Sequence, residues 1–162
     1  MKEFAFTAII DSREQNPLSL RIHPDEAPIR SEKGTLYTGD YSVKGLEDHI
    51  AIERKSLPDL MACIGKERVR FKKELQRMLA YPVRAVVVEG TWADVENGAY
   101  LTRSKVNPAS AIGSVLGWVA NGIPFIMSGN HEKAGEHVAR MLWIAARRRY
   151  RELHLLTTRG FQ

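Results

Sequence analysis

The stretch LYTGDYSVKGLEDHIAIERKSLPD, residues 36–59, contains two segments rich in apolar and β-branched residues, with a turn-prone sequence between them. Leu36–Val43 and Ile50–Lys55 each fit a β-strand, and residues 44–49 fit the turn that joins them. Two strands joined by so short a connection are expected to pair as an antiparallel hairpin. The chain is therefore expected to build part of a sheet here.

The register of this hairpin decides which side chains meet. If Val43 faces Ile50, then Asp40 faces Glu53, because the numbers of paired residues in an antiparallel hairpin have a constant sum. Directly opposed carboxylates repel, so a cation such as Mg²⁺, which prefers hard oxygen ligands, would stabilise them. Lys55 lies two residues beyond Glu53 and shares its face of the strand. The spacing predicts a metal site with an amine beside it.

A divalent cation, two carboxylates and a lysine suit the hydrolysis of a phosphodiester bond. The cation polarises a phosphoryl oxygen and generates hydroxide from bound water, while a fixed ammonium offsets charge that develops in the transition state. No covalent nucleophile is required. Arg54 lies between Glu53 and Lys55 in the sequence and is expected to point to the opposite face of the strand.

Two further acids fall at the ends of predicted strands. Phe4–Ile10 fits a first strand that is followed by Asp11, and Val83–Val88 fits a buried strand that is followed by Glu89. In open α/β sheets, ligands gather outside the carboxyl ends of the strands. Asp11 and Glu89 are therefore candidates for additional ligands or supporting groups.

Each acid also has a structural interpretation. Asp11 and Asp40 can each begin a turn after a strand. Ser56 and Asp59 match a capping box at the start of a helix, and for Asp59 alone capping is favoured over metal binding. The charged residues 53–55 can also form a solvent-exposed face. The cluster taken together favours the functional interpretation.

The motifs resemble those of a known family. Gly39-Asp40, followed by Glu53-Arg54-Lys55-Ser56-Leu57-Pro58-Asp59, resembles the G-D…E-R-K-x-x-x-D signature of the XPF-type structure-specific nucleases, a branch of the PD-(D/E)XK restriction-endonuclease-like superfamily. Asp11-Ser12-Arg13-Glu14 resembles the D-x-R-E segment of that family, and Arg70-Phe71 is similar to its helix with an R-F pair. Val86–Gly90 resembles the buried strand that closes the site.

This resemblance extends over about residues 4–148 and implies a restriction-endonuclease-like α/β fold, with a central mixed β-sheet flanked by α-helices. It implies Mg²⁺ or Mn²⁺ as the cofactor. The residues that it implies for the site are Asp40 and Glu53 as metal ligands, Asp11 as an assisting ligand, Lys55 as the group that positions the nucleophile, and Arg54 and Asp59 as supporting groups. Glu14 and Glu89 are candidates for a second layer or for additional ligands.

The function implied by the resemblance is an endonuclease acting on branched, flapped or junction DNA, working as a homodimer. Two alternatives stay open: a DNA-binding or dimerisation module without turnover, and a nuclease acting on ordinary duplex DNA. Residues 1–162 are expected to form one domain, similar to the short stand-alone forms of bacteria and phages, because nothing here resembles the helix-hairpin-helix module of the larger XPF-type proteins.

The charge balance favours a polyanionic partner. Lysine and arginine together number 24 against 19 aspartates and glutamates, which gives a net charge of +5 and a pI near 9.5. A helix is expected from about Glu67 to Ala80, with basic residues on its polar faces, and a basic C-terminal stretch begins at about residue 147. For any single basic residue of this helix, ordinary solvation is an equally good interpretation. Solvation is favoured for Arg103 and Lys105 taken alone, and for the C-terminal arginines a favourable interaction with the helix dipole, together with solubility, is slightly favoured over DNA binding. The candidate DNA contacts are Arg13, Arg68, Arg70, Lys72, Lys73, Arg103 and Lys105.

The remaining features set the context. Cys63 is the only cysteine, so no disulfide forms within the chain, and the histidines show no zinc-ligand pattern. No signal peptide and no span of ~20 apolar residues is present, so the expected location is the cytoplasm of a bacterial or phage-infected cell, with no membrane contact. Asn16–Gly34 is irregular, and serves either as a loop beside the site or as a connection between strands.

Overall fold

The computed structural model describes residues 4–160, in which the chain forms a six-stranded sheet and five helices. The strands are β1 (Ala8–Asp11), β2 (Ser31–Gly34), β3 (Tyr41–Val43), β4 (Ile50–Ser56), β5 (Val83–Glu89) and β6 (Phe125–Met127). The helices are α1 (Leu57–Ile64), α2 (Arg68–Met78), α3 (Trp92–Glu96), α4 (Pro108–Ala120) and α5 (His131–Arg159).

The sheet is mixed, in the order β2-β1-β3-β4-β5-β6. β3 runs antiparallel to both β1 and β4, whereas β2 pairs parallel to β1, and β4, β5 and β6 run parallel to one another. Helices α1, α2 and α4 contribute to a core on one face of the sheet, and α5 contributes to a core on the other. The predicted class, a central mixed sheet flanked by helices, is confirmed.

The central strand β5 shows how the sequence serves two cores. Val86 and Val88 pack into the core on the α1 side, whereas Ala85 and Val87 pack into the core on the α5 side. All four are completely buried, and burying a valine contributes about 1.5–3 kcal/mol. A strand covered on both faces needs a continuous apolar run rather than an alternating one, which is the pattern in this sequence.

The hairpin forms in the predicted register, since Tyr41 pairs with Ile52. The first strand of the hairpin is shorter than the predicted Leu36–Val43, because Gly39 adopts a φ of 81°. A Cβ at this position would lie 3.0 Å from the carbonyl oxygen of Ile52, so the chain passes directly over the backbone of β4. Only glycine accommodates both the positive φ and this close approach.

Two other boundaries differ from the sequence-based prediction. β2 lies inside the segment that was expected to be irregular, and the first strand begins at Ala8 rather than Phe4. β2 is a partly exposed edge strand of sequence SEKG, which has no apolar pattern that could have revealed it.

Helix α5 continues to Arg159, and residues 147–159 are all exposed. Of the helices within residues 4–160, none is both long enough and apolar enough to cross a membrane.

Candidate active site

The candidate site lies at the carboxyl ends of the parallel strands β4 and β5, where Lys55 pairs with Val88 and Ser56 with Glu89. Helix α1 begins directly after β4, and the side chain of Ser56 accepts a hydrogen bond from the backbone N–H of Asp59 at 3.2 Å. The predicted N-cap at Ser56 is confirmed. The side chain of Asp59 is exposed to solvent, and its supporting role in the site stays a prediction.

Asp40 and Glu53, here called the acid pair, meet across the hairpin. The N–H of Asp40 donates to the carbonyl of Ile52, and the N–H of Arg54 donates to Oδ2 of Asp40, each at 2.8 Å. Burial raises the pKa of Asp40 to about 6. Burial and the charge of Asp40 together raise the pKa of Glu53 well above its ordinary value. Both acids are therefore held in an environment that disfavours two negative charges.

Lys55 supplies the cation beside this pair. Its Nζ lies 2.5 Å from Oε1 of Glu53 and 5.3 Å from the ring centroid of Phe71. Burial by itself would lower the pKa of Lys55, but the charge of Glu53 and the hydrogen bond to it outweigh burial and raise the pKa. The side chain is therefore a fixed ammonium at neutral pH, on the face of β4 where the spacing predicted it.

Glu74 is a third carboxylate at the acid pair, and the sequence-based reasoning missed it as a site residue. Its carboxylate lies close enough to both acids that its negative charge raises the pKa of Glu53 and of Asp40. The available signal was helical spacing, because Phe71, Glu74 and Met78 recur at intervals of three and four on α2. Phe71 and Met78 are buried, so a carboxylate between them points toward the core side.

Arg54 points to the other face of β4, as predicted, and joins two acids. Its Nε and Nη2 each donate to Glu14 at 3.0 Å, and its Nη1 donates to Glu89 at 2.7 Å. Nδ1 of His131 lies 2.8 Å from the same oxygen of Glu89. Burial opposes the charge of Arg54, but its hydrogen bonds to Glu14 and Glu89 outweigh burial and raise its pKa. Arg54 therefore joins Glu14 to Glu89 on this face, and the role of these two acids as a second layer or as additional ligands stays a prediction.

His131 was also missed in the sequence. It is the first residue of α5, a few residues after β6, so its position near the carboxyl ends of the parallel strands was the available signal.

Asp11 is close to the acid pair, but its carboxylate already accepts hydrogen bonds from other groups of the protein. It accepts four hydrogen bonds of 2.8–2.9 Å, three from Arg13 and one from the N–H of Leu36. The hydrogen bonds from the Arg13 side chain are the main reason why its pKa is lowered to about 2. The N–H of Asp11 donates to the carbonyl of Asp40 at 2.8 Å. The predicted role of Asp11 as an assisting metal ligand would require Arg13 to release it.

The acid pair fits a hard divalent cation. Across residues 4–160, no group of three or more His, Cys, Asp or Glu side chains has the arrangement to hold a metal ion. Mg²⁺ does not need such a group, because it is typically bound by one or two carboxylates, with water and substrate phosphate completing the octahedron. Glu53 is buried and Asp40 is half-buried. Carboxylates with raised pKa values gain most from a cation, so Asp40 and Glu53 are the residues that would hold it.

The predicted DNA contacts fall into two groups. Lys72, Lys73, Arg103 and Lys105 are exposed, and the Arg13 side chain is mostly exposed even though it binds Asp11. Arg70 is exposed but forms a salt bridge to Glu67. Arg68 instead turns toward α4, where it donates to Ser114 at 2.9 Å and lies over the Trp118 ring. Their roles in DNA binding stay predictions.

The fold and the site together define a protein of the restriction-endonuclease-like α/β class. Within that class the chain belongs to the ERCC4 domain family, which residues 10–141 match. This confirms the resemblance to XPF-type nuclease domains.

Two solved structures are similar to the chain over most of its length. XPF from Aeropyrum pernix has a TM-score of 0.66 at 17% identity, covering 86% of this chain and 61% of that one. XPF from Aeropyrum pernix in complex with DNA has a TM-score of 0.67 at 17% identity, covering 88% and 66%. The chain therefore spans less than two thirds of the length of these proteins, and the likeness establishes the fold. A comparison with curated protein sequences found no match.

Proposed function

We propose that the chain is a Mg²⁺- or Mn²⁺-dependent endonuclease that hydrolyses phosphodiester bonds in branched, flapped or junction DNA. One observation carries the proposal: a buried and a half-buried acid, both with raised pKa values, lie beside a fixed ammonium at the carboxyl ends of parallel strands. Membership of the ERCC4 domain family supports the same activity. The choice of DNA is supported by the similar fold of XPF from Aeropyrum pernix, which is described in complex with DNA.

The residues divide the work by position. A divalent ion, when bound, would activate a water molecule for attack and polarise the phosphate. Asp40 and Glu53 hold the ion, and Lys55 holds positive charge beside Glu53, where it offsets the negative charge that develops on the phosphate. Arg54 fixes Glu14 and Glu89 on the other face of β4, and its N–H orients Asp40.

Helix α2 is the proposed track for the DNA backbone. The same helix places Phe71 beneath Lys55 and exposes Lys72 and Lys73, so these ammonium groups lie on the element that adjoins the site. Changing both lysines to glutamine is expected to weaken DNA binding and to reduce the slope of log K against log salt by about 2, since each phosphate contact releases roughly one counterion. A slope that is unchanged, and equal to that of the control Lys33→Gln on the edge strand β2, would mean that α2 does not contact the DNA backbone.

A second copy of the chain is the proposed partner for the end of α5. Residues 147–159 are exposed, and apolar Tyr150, Leu153 and Leu156 lie on this part of the helix. A largely exposed helix end is marginal in water, so a matching helix that covers its apolar residues would stabilise it. Leu153→Glu with Leu156→Glu is expected to convert a dimer to a monomer by light scattering, whereas Leu116→Glu on α4 is not. A wild-type chain that is monomeric at high concentration would overturn this proposal.

The central experiment is cleavage of end-labelled flap, fork, four-way junction, linear duplex and single-stranded DNA with Mg²⁺ or Mn²⁺. Glu53→Gln controls for contaminating nucleases, and Glu96→Gln, an exposed acid on α3, controls for the substitution itself. Cutting confined to branched DNA and lost only with Glu53→Gln is the expected result. Equal cutting of all duplexes would instead favour a nuclease that acts on ordinary duplex DNA. Binding without cutting would favour a non-catalytic DNA-binding or dimerisation module.

A further inference from the structure

Tyr37 is an exposed aromatic side chain in the segment that leads into the acid pair. Its exposed fraction, 81%, is the largest of any large apolar side chain in residues 4–160. Within this part of the chain, its ring forms no pair with another aromatic ring. Tyr37 also lies only three residues before Asp40. The ring is therefore available to a ligand.

The segment that carries Tyr37 is anchored on both sides. Leu36 is buried, its N–H donates to Asp11 at 2.8 Å, and its carbonyl accepts from Nη2 of Arg13 at 2.7 Å. On the other side, Thr38 is 4% exposed. Gly39 then passes directly over β4, with its Cα held against the Ile52 backbone.

A single exposed ring between two buried residues is held out from the surface by a fixed backbone. A side chain displayed in this way loses little conformational entropy when a ligand binds it, because the backbone is already ordered. Tyrosine has only two side-chain torsions, which reduces that loss further.

The surroundings of the ring match the chemistry of a nucleotide. Arg13, whose side chain is 70% exposed, hydrogen-bonds the backbone carbonyl of Leu36 and so places a cation at the same rim. A planar aromatic surface suits a nucleobase, and a guanidinium nearby suits its phosphate. Asp40 lies three residues further along the same anchored segment.

We propose that Tyr37 is a stacking site for an unpaired nucleobase next to the acid pair, and that it selects DNA with a single-stranded segment at the cleavage position. The proposal rests on the proposed nuclease function for its substrate. Bases inside a duplex are stacked on both faces, whereas an unpaired base offers a free face to the ring. Stacking accepts every base, so the selection is for structure and not for sequence.

The test compares binding of two DNAs that differ only in pairing. A fork with unpaired arms and a blunt duplex with the same number of nucleotides are titrated in EDTA, where no cleavage occurs, and read by fluorescence anisotropy. Removal of one base–aromatic stack is worth about 5- to 150-fold in affinity. Tyr37→Ala is expected to weaken fork binding by a factor in this range and to leave duplex binding unchanged.

Three variants make the result specific. Tyr37→Phe keeps the ring and is expected to bind the fork like the wild type, whereas Tyr37→Leu keeps only apolar volume and is expected to resemble Tyr37→Ala. Leu116→Ala removes an exposed apolar side chain from α4 and is expected to change neither titration. A 2-aminopurine placed as the first unpaired base should lose fluorescence on binding to the wild type but not to Tyr37→Ala.

The proposal is overturned if Tyr37→Ala weakens binding of the fork and of the duplex equally, or if it changes the affinity for neither. It is also overturned if Tyr37→Leu binds the fork like the wild type. Unchanged 2-aminopurine fluorescence with the wild type would overturn it as well. Because the titrations contain no metal, they decide the role of Tyr37 even if the wild-type chain never cuts DNA. A failure of the nuclease proposal would appear only in the cleavage experiment.

Discussion

Asp11 and Asp40 are joined by a backbone hydrogen bond, yet their carboxyl groups behave in opposite ways. Asp11 accepts four N–H donors, mainly from Arg13, and its pKa falls to about 2. Asp40 is half-buried, its side chain accepts from the N–H of Arg54, and its pKa rises to about 6. A carboxylate that protein groups already saturate has a structural task. A carboxylate that is shielded from water and accepts few hydrogen bonds is stabilised by a bound cation.

The two faces of β4 repeat this difference. On one face, Arg54 bonds two carboxylates, Glu14 and Glu89, and His131 adds a further contact to Glu89. On the other face, the ammonium of Lys55 is the counter-charge for Glu53, while Asp40 and Glu74 add negative charge that raises the pKa of Glu53. On the first face, here called the balanced face, Arg54 hydrogen-bonds both carboxylates directly. On the second, here called the unbalanced face, a single ammonium stands against three carboxylates.

The largest expected effect tests the balanced face. Arg54→Met leaves Glu14 and Glu89 as buried or half-buried charges without their counter-cation, and breaking such a pair lowers the unfolding free energy by about 3–5 kcal/mol. Urea unfolding in EDTA measures this loss. Arg70→Met is the control, because its exposed salt bridge to Glu67 is worth at most about 1 kcal/mol. Equal losses in the two variants would mean that Arg54 does not hold the site together.

The next effect tests the unbalanced face. Asp40→Asn keeps an oxygen for the N–H of Arg54 but removes a charge that the metal requires, so cleavage should fall by about 10²- to 10³-fold or more. A raised pKa means that the stability contributed by Asp40 is full below pH 3.8 and is lost as the pH rises through about 6.

At pH 7 the unfolding free energy of Asp40→Asn should therefore equal or exceed that of the wild type. Asp48→Asn, in the exposed turn of the hairpin, is the matched control and should retain full activity. Retained cleavage by Asp40→Asn, or a large loss of stability, would place Asp40 with the structural acids.

A third effect separates chemistry from binding at the unbalanced face. Lys55→Met removes the preorganised ammonium beside Glu53, and single-turnover cleavage should slow by about 10²-fold while the dissociation constant for DNA stays the same. Lys55→Arg restores the charge and should recover part of the rate. If the affinity falls and the rate at saturation does not, Lys55 is a phosphate contact and has no part in the chemical step.

The sequence predicts the hairpin and its register because both strands are buried, and a slip of one residue would expose the whole apolar set. It also predicts that Arg54 and Lys55 point in opposite directions, because successive side chains of a strand alternate between its two faces. It does not predict Glu74 as a site residue, since the orientation of α2 relative to the sheet depends on packing that no local pattern encodes. Nor does it predict that Arg13 saturates Asp11, because that contact depends on the geometry of the turn after β1.

The smallest effect tests Asp11 itself, through pH. Because its pKa is lowered to about 2, Asp11 contributes stability that is fully present above pH 3.8 and is lost as the pH falls through about 2. Asp11→Asn should therefore lower the unfolding free energy at pH 7 by about 2 kcal/mol, and should flatten the loss of stability between pH 4 and 2. Urea unfolding at a series of pH values in EDTA measures both. An acid limb identical to that of the wild type would mean that Arg13 does not saturate Asp11 in solution, and the carboxylate would then be free to join the acid pair in holding a metal.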